Sequence, residues 1–188
     1  MKHFSIIAIL ALSIGCISFA VAGHHSYAEH QQPQSSLKYI EFSQLGDPAD
    51  VLEVKSESLR ALKSGEVRVI VLAAPINPSD LLQIAGKYGV DPELPSRPGS
   101  EGIARVLEIS AEVKHLVVGQ LVLPVGGGTW SEEIVGPASA FLPLPNLGPL
   151  DSDVIEQLAM SAVNPVTALL MLTSFVELQE GQWIVQSA

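Results

Sequence analysis

Short runs of alternating apolar and polar residues dominate the chain between residues 37 and 135. LKYIEFS (37–43), VLEVKSE (51–57), VRVIVLAA (67–74), GIARVLEIS (102–110), LVLPV (121–125) and WSEEIV (130–135) read as strands, from their period of two and their β-branched content. GDPAD, LKSGE, LPSRPGSEG and GGG separate them and carry the Gly and Pro backbone geometry of turns. One brief helix is predicted near Ser79–Ala85. Many short strands and one helix imply a small barrel or a pair of bent sheets. After Leu150 the period becomes helical. DSDVIEQLAMSA offers Asp153 as an N-cap, with Glu156 at capping-box spacing. A second helix is predicted from Asn164-Pro165 through VTALLMLTSF, with Asn capping, Pro in the first turn, and Leu and Met in the core. EGQWIVQSA then opens a strand at Trp183 that has no sheet of its own to join.

The beginning of the chain follows a different rule. MKHFSIIAILALSIGCISFAVA has Lys2, an uncharged run from Phe4 to Ala22, and a small-x-small ending at Ala20-Val21-Ala22. That order is expected of a signal peptide (residues 1–22) followed by a polar linker (23–36), which places the protein in the periplasm or outside the cell. An uncleaved membrane anchor is the alternative, and a fused leader on a cytoplasmic protein another, whereas the absence of Arg and of amphipathic spacing argues against a mitochondrial presequence. Cleavage after Ala22 would expose Gly23-His24-His25, where an amine, two amide nitrogens and an imidazole can hold Cu(II) or Ni(II). The plainer reading is a solvated linker.

Composition narrows the function classes. The chain is 47% hydrophobic and 16% charged, with a net charge of −10, so it is globular and repels phosphate backbones and anionic headgroups. Nucleic acid is not an expected partner, nor is a membrane except through the leader. Cys16 is the single cysteine, which leaves the body without disulfides or cysteine-bound zinc.

Candidate chemistry concentrates in INPSDLLQIAGKY (76–88). Read by itself it is turn and cap: Asn77-Pro78 starts a turn, Ser79 or Asp80 caps the helix, Gly86 stops it, and Tyr88 covers the core. The same polar residues could instead form the lip of an active site. In RPGSEGIARV, Glu101 at a strand entrance reads as a loop holder that accepts backbone N–H bonds. VGGGTWSEE lacks the spacing of a phosphate-binding loop and precedes a strand, so it reads as a tight turn.

Four blocks in order, INPSD, PGSEGIARV, VGGGTWSEE and VNPVTALLMLTSFVELQEGQWIVQSA, resemble the N-terminal half of the medium-chain dehydrogenase/reductase superfamily. The resemblance spans about Leu37 to Ala188. It implies a mainly β fold with some α: a GroES-like bent β-barrel domain over 37–150, then two helices and the first strand of a truncated Rossmann domain over 151–188. Where zinc-dependent members carry a cysteine and a histidine, this chain has Asn77 and Ser100. It therefore resembles the zinc-free branch, the quinone reductases and the trans-2-enoyl-thioester reductases.

The implied reaction is hydride transfer from NADPH to an enoyl thioester or a quinone. The resemblance makes Tyr88 the catalytic residue that orients a thioester carbonyl or supplies a proton, and places Asn77 and Thr167 on the nicotinamide side. It implies no metal. Because the glycine-rich cofactor turn would lie past Ala188, the expectation is a truncated, inactive chain, dimeric or in need of a cofactor domain. The rival expectation is an exported, non-catalytic β-domain that binds a partner protein or Cu/Ni at its N-terminus.

Overall fold

The computed structural model describes residues 36–185, and the leader and the Gly23-His24-His25 segment lie outside them. Strand β1 (Ser36–Glu41) pairs antiparallel with β2 (Glu53–Ser58), from Ser36 opposite Ser58 to Glu41 opposite Glu53. Between them lies a one-turn helix, α1 (Pro48–Val51), where GDPAD was expected to turn and Val51 to open a strand. Asp47 caps it by accepting from Ala49 N–H at 3.0 Å, and Pro48 occupies the first turn, where no donor is needed.

The larger sheet has five antiparallel strands: β3 (Glu66–Ala73), β4 (Ile103–Ile109), β5 (Leu121–Pro124), β6 (Glu133–Pro137) and β7 (Phe141–Pro143). Their spatial order is β6-β3-β4-β5-β7. Alternation works as anticipated on β3, where Val67 and Val69 are fully buried and Arg68 reaches outward to Glu108 and Glu133. Val67, Val69, Ala104, Val106, Leu116, Val122 and Phe141 form the main core. Burying each valine or larger side chain contributes about 1.5–3 kcal/mol. The short sheet meets the larger one through the Tyr39–Ser131 bridge and the Ile40 N–H to Trp130 C=O bond of 2.9 Å. The two sheets form an open, bent pair rather than a closed barrel among the described residues.

A second core, Ile103, Leu123, Ile155 and Ala159, seats helix α3 (Ser152–Ala159) on the sheet. Its cap is Asp151, which accepts from Val154 N–H at 2.9 Å, and not Asp153, which lies in the first turn. Helix α4 (Asn164–Thr173) begins one residue earlier than expected: Val163 takes the cap position and Asn164 is already helical. The Leu and Met residues of α4 were expected in a core, yet the helix buries none of its residues. No strand forms at Trp183, whose side chain is 92% exposed, because no neighbouring strand among the described residues can pair with it. No single helix among the described residues is long and apolar enough to cross a membrane.

Candidate functional site

The segment that leaves β3 carries the first candidate residue. Ala73 ends the strand, and Pro75 C=O accepts the indole N–H of Trp130 at 3.1 Å, which pins the chain before it turns. Asn77 then caps helix α2 (Pro78–Ile84), with Pro78 in the first turn. Asp80, 3% exposed, accepts Asn77 N–H at 3.0 Å and so closes the turn from inside. Ile84 anchors the far end of the helix against Phe42 and Val51. Gly86, at φ +68°, ends it, as a residue with a Cβ would be strained there and would press on Leu45.

Tyr88 follows, 56% exposed, between two glycines with positive φ, Gly86 and Gly89. It lies past the end of α2 opposite to Asn77.

A second segment meets Asn77 from across the chain. Glu101, only 1% exposed, accepts Asn77 Nδ2 at 3.0 Å on Oε1 and Val163 N–H at 2.8 Å on Oε2. Ser100 Oγ lies 3.5 Å from Asn77 Nδ2, a long contact, so the two positions where zinc-dependent members place ligands do converge here. An amide and a hydroxyl are weak ligands for zinc. Among the described residues no cluster of three His, Cys, Asp or Glu side chains is arranged to hold a metal ion.

The Glu101 loop is braced on its other side. Thr129 Oγ1 donates to Glu101 C=O at 2.7 Å, and the N–H groups of Thr129 and Trp130 donate to Gly99 and Pro98 C=O at 3.3 and 3.2 Å. VGGGTWSEE is thus the wall that holds the Glu101 loop in place, and not a phosphate cradle.

The bond from Glu101 to Val163 brings in the third candidate. Thr167 N–H donates to Val163 C=O at 2.9 Å, so Thr167 sits one turn past the tie, exposed on α4. Asn77 and the first turn of the Thr167 helix are therefore joined through one carboxylate. At Ile76, next to Asn77 in the chain, lies an apolar groove of about 490 Å³, whose walls also include Ile40, Leu52, Leu72 and Trp130.

A second cavity, of about 340 Å³, contains Arg60, Arg68 and Arg97, but their charges are already spent. Arg97 makes a two-pronged pair with Glu57 at 3.0 and 2.8 Å, and the bond holds the Glu57 carboxyl below its usual range. Arg60 and Glu66 do the same at 2.6 and 2.8 Å. With help from Lys63 N–H, the Arg60 bond pulls the Glu66 carboxyl down to about 2. A cavity whose cations are matched by carboxylates offers an anionic ligand little.

Residues 63–146, which include the Asn77 and Glu101 loops, match the family described as Alcohol dehydrogenase GroES-like domain. The chain belongs to the medium-chain dehydrogenase/reductase superfamily. Its GroES-like domain resembles that of human mitochondrial enoyl-[acyl-carrier-protein] reductase, 41% identical over 165 residues, which covers 87% of this chain and 43% of the relative. In three dimensions it resembles the Etr1p complex with NADP and crotonyl-CoA, with a TM-score of 0.70 and 33% identity over 79% of this chain and 46% of that one. Etr1p is also known in a mitochondrial heterodimer with Etr2p from Candida tropicalis. A putative NADPH:quinone reductase from Bacillus thuringiensis is similar too, with a TM-score of 0.68 and 37% identity over 78% of this chain and 43% of that one.

The chain spans less than half the length of these relatives. The human and Candida proteins are mitochondrial, which overturns the expectation of a secreted or periplasmic protein drawn from the apolar N-terminus. That expectation rested on composition alone, and residues 1–35 are outside the described structure.

Proposed function

We propose that this chain forms the substrate-side part of an NADPH-dependent reductase acting on 2-enoyl thioesters. The observation that carries the reading is the buried tie of Asn77 and α4 to Glu101, which joins an amide to a hydroxyl-bearing helix, with an apolar groove starting at the neighbouring Ile76. With Nδ2 committed to Glu101 and one Oδ1 lone pair facing the Asp80 N–H of the capping box, Asn77 keeps one Oδ1 acceptor site for a ligand, which fits the N–H of a nicotinamide carboxamide. The Thr167 hydroxyl supplies a second polar contact for the same end of the cofactor. When bound, NADPH supplies the hydride.

The protein's own part is orientation and proton delivery. The Tyr88 phenol donates a hydrogen bond to the thioester carbonyl oxygen, steadies the charge that develops there, and supplies or relays the proton. The groove walled by Ile40, Leu52, Ile76 and Trp130 gives an acyl chain an apolar bed. Turnover is ascribed to a protein that joins this part to a dinucleotide-binding part.

The likeness to the Bacillus quinone reductase supports a second reading, in which a quinone takes the place of the thioester. Assaying NADPH oxidation by the protein purified from its natural source separates the two. Crotonyl thioester is expected to be turned over at least tenfold faster than a simple quinone, and the reverse order would overturn the thioester reading.

A further inference from the structure

Glu101 is the most deeply buried charged side chain among the described residues, and its burial carries a desolvation cost that ordinary loop bracing does not require. Its two oxygens serve segments far apart in sequence: Oε1 accepts from Asn77 Nδ2 at 3.0 Å and Oε2 from Val163 N–H at 2.8 Å. A carboxylate only accepts hydrogen bonds. It therefore forces the Asn77 amide to turn its nitrogen inward, since the opposite rotamer would set two oxygens against each other at 3.0 Å. The other oxygen seats the residue that caps α4, one turn ahead of Thr167, and the partial positive charge of the helix N-terminus favours the anion there.

We propose that Glu101 is a positioning residue: by fixing the amide polarity of Asn77 and the first turn of α4, it makes Asn77 Oδ1 and the Thr167 hydroxyl address one nicotinamide carboxamide. The inference rests on the functional reading above. A loop holder alone would need only an acceptor for Val163 N–H, and a glutamine carbonyl would serve. What glutamine cannot do is accept on both sides. In Glu101→Gln, Oε1 keeps Val163 N–H, and Nε2 faces Asn77, whose amide must turn over and present a donor where it had presented an acceptor.

The test is NADPH affinity, followed by fluorescence titration of the full-length natural protein and its variants. Glu101→Gln is expected to weaken NADPH binding about tenfold, the effect of one inverted hydrogen bond. Asn77→Ala weakens it similarly, and adding Glu101→Gln to Asn77→Ala costs less than about twofold more, because both act through one amide. Asn77→Asp combined with Glu101→Gln restores binding to within about threefold of wild type, since the aspartate accepts from glutamine on one oxygen and offers an acceptor on the other. The rescued double variant keeps the test alive if Glu101→Gln alone fails to fold.

Additive losses with no rescue by Asn77→Asp, or unchanged affinity in Glu101→Gln, overturn the positioning role alone. A wild-type protein without saturable NADPH binding overturns the functional reading and this inference with it.

Discussion

Replacing Gly99 by alanine is expected to destabilise the domain by about 3 kcal/mol or more, a larger loss than any other single methyl group added to the site. Gly99 sits at φ +99°, where a side chain is strained, and its Cβ would press on Thr129 Oγ1 and meet Trp130 Cδ1 at 2.5 Å and Trp130 N at 2.9 Å. The last of these is backbone and cannot swing aside. Gly99 C=O also accepts Thr129 N–H, so relief by moving the loop breaks the brace that holds Glu101. Urea unfolding is the check: a midpoint within error of wild type would show that the close approach of the two loops is not tight.

Replacing Tyr88 by phenylalanine is expected to act on turnover and leave stability alone. The side chain is 56% exposed, so loss of its hydroxyl should change the unfolding free energy by less than about 0.5 kcal/mol. The rate with an enoyl thioester should fall about a hundredfold, the low end of what a positioned proton donor contributes. Because the phenol acts on charge that develops during reaction, kcat should fall while KM changes little. Steady-state kinetics beside an unfolding curve separates the two effects. A phenylalanine variant with full kcat would remove Tyr88 from the chemistry.

Legibility in the sequence followed the range of the interactions. β3 and β4 were readable because their alternation sends Val67, Val69, Ala104 and Val106 inward. α2 was readable because Pro78 and Gly86 punctuate it within nine residues. α1 and β7 are single-turn or three-residue elements, too short to develop a period, and Pro143 further obscures β7. For α4, an apolar sequence was taken as a sign of burial, but what covers an apolar helix depends on the chain folded around it.

Glu101 shows the same limit at the site. Its flanking glycines and strand entrance correctly suggested an acceptor of backbone N–H bonds, and Val163 supplies one. Nothing local could reveal that the donor lies 62 residues away, or that the other oxygen holds Asn77 across 24 residues. Asn77 and Tyr88 were given roles only through resemblance to a family, because each also has a sound local explanation, as a turn residue and as an aromatic covering the core. Localisation failed for the opposite reason: a strong local composition was read without the relatives that place such proteins in mitochondria.

The proposed role of this domain is hydride transfer to an unsaturated thioester, with Tyr88 on the proton side. It is tested most directly by tracing label from NADPH deuterated at the reactive carbon into the product made from crotonyl thioester by the natural protein. Mass spectrometry should find deuterium at the β-carbon of the saturated thioester and none at the α-carbon, which takes its proton from solvent. Saturated product without label from NADPH, or no product while the folded protein is saturated with both reactants, would contradict it.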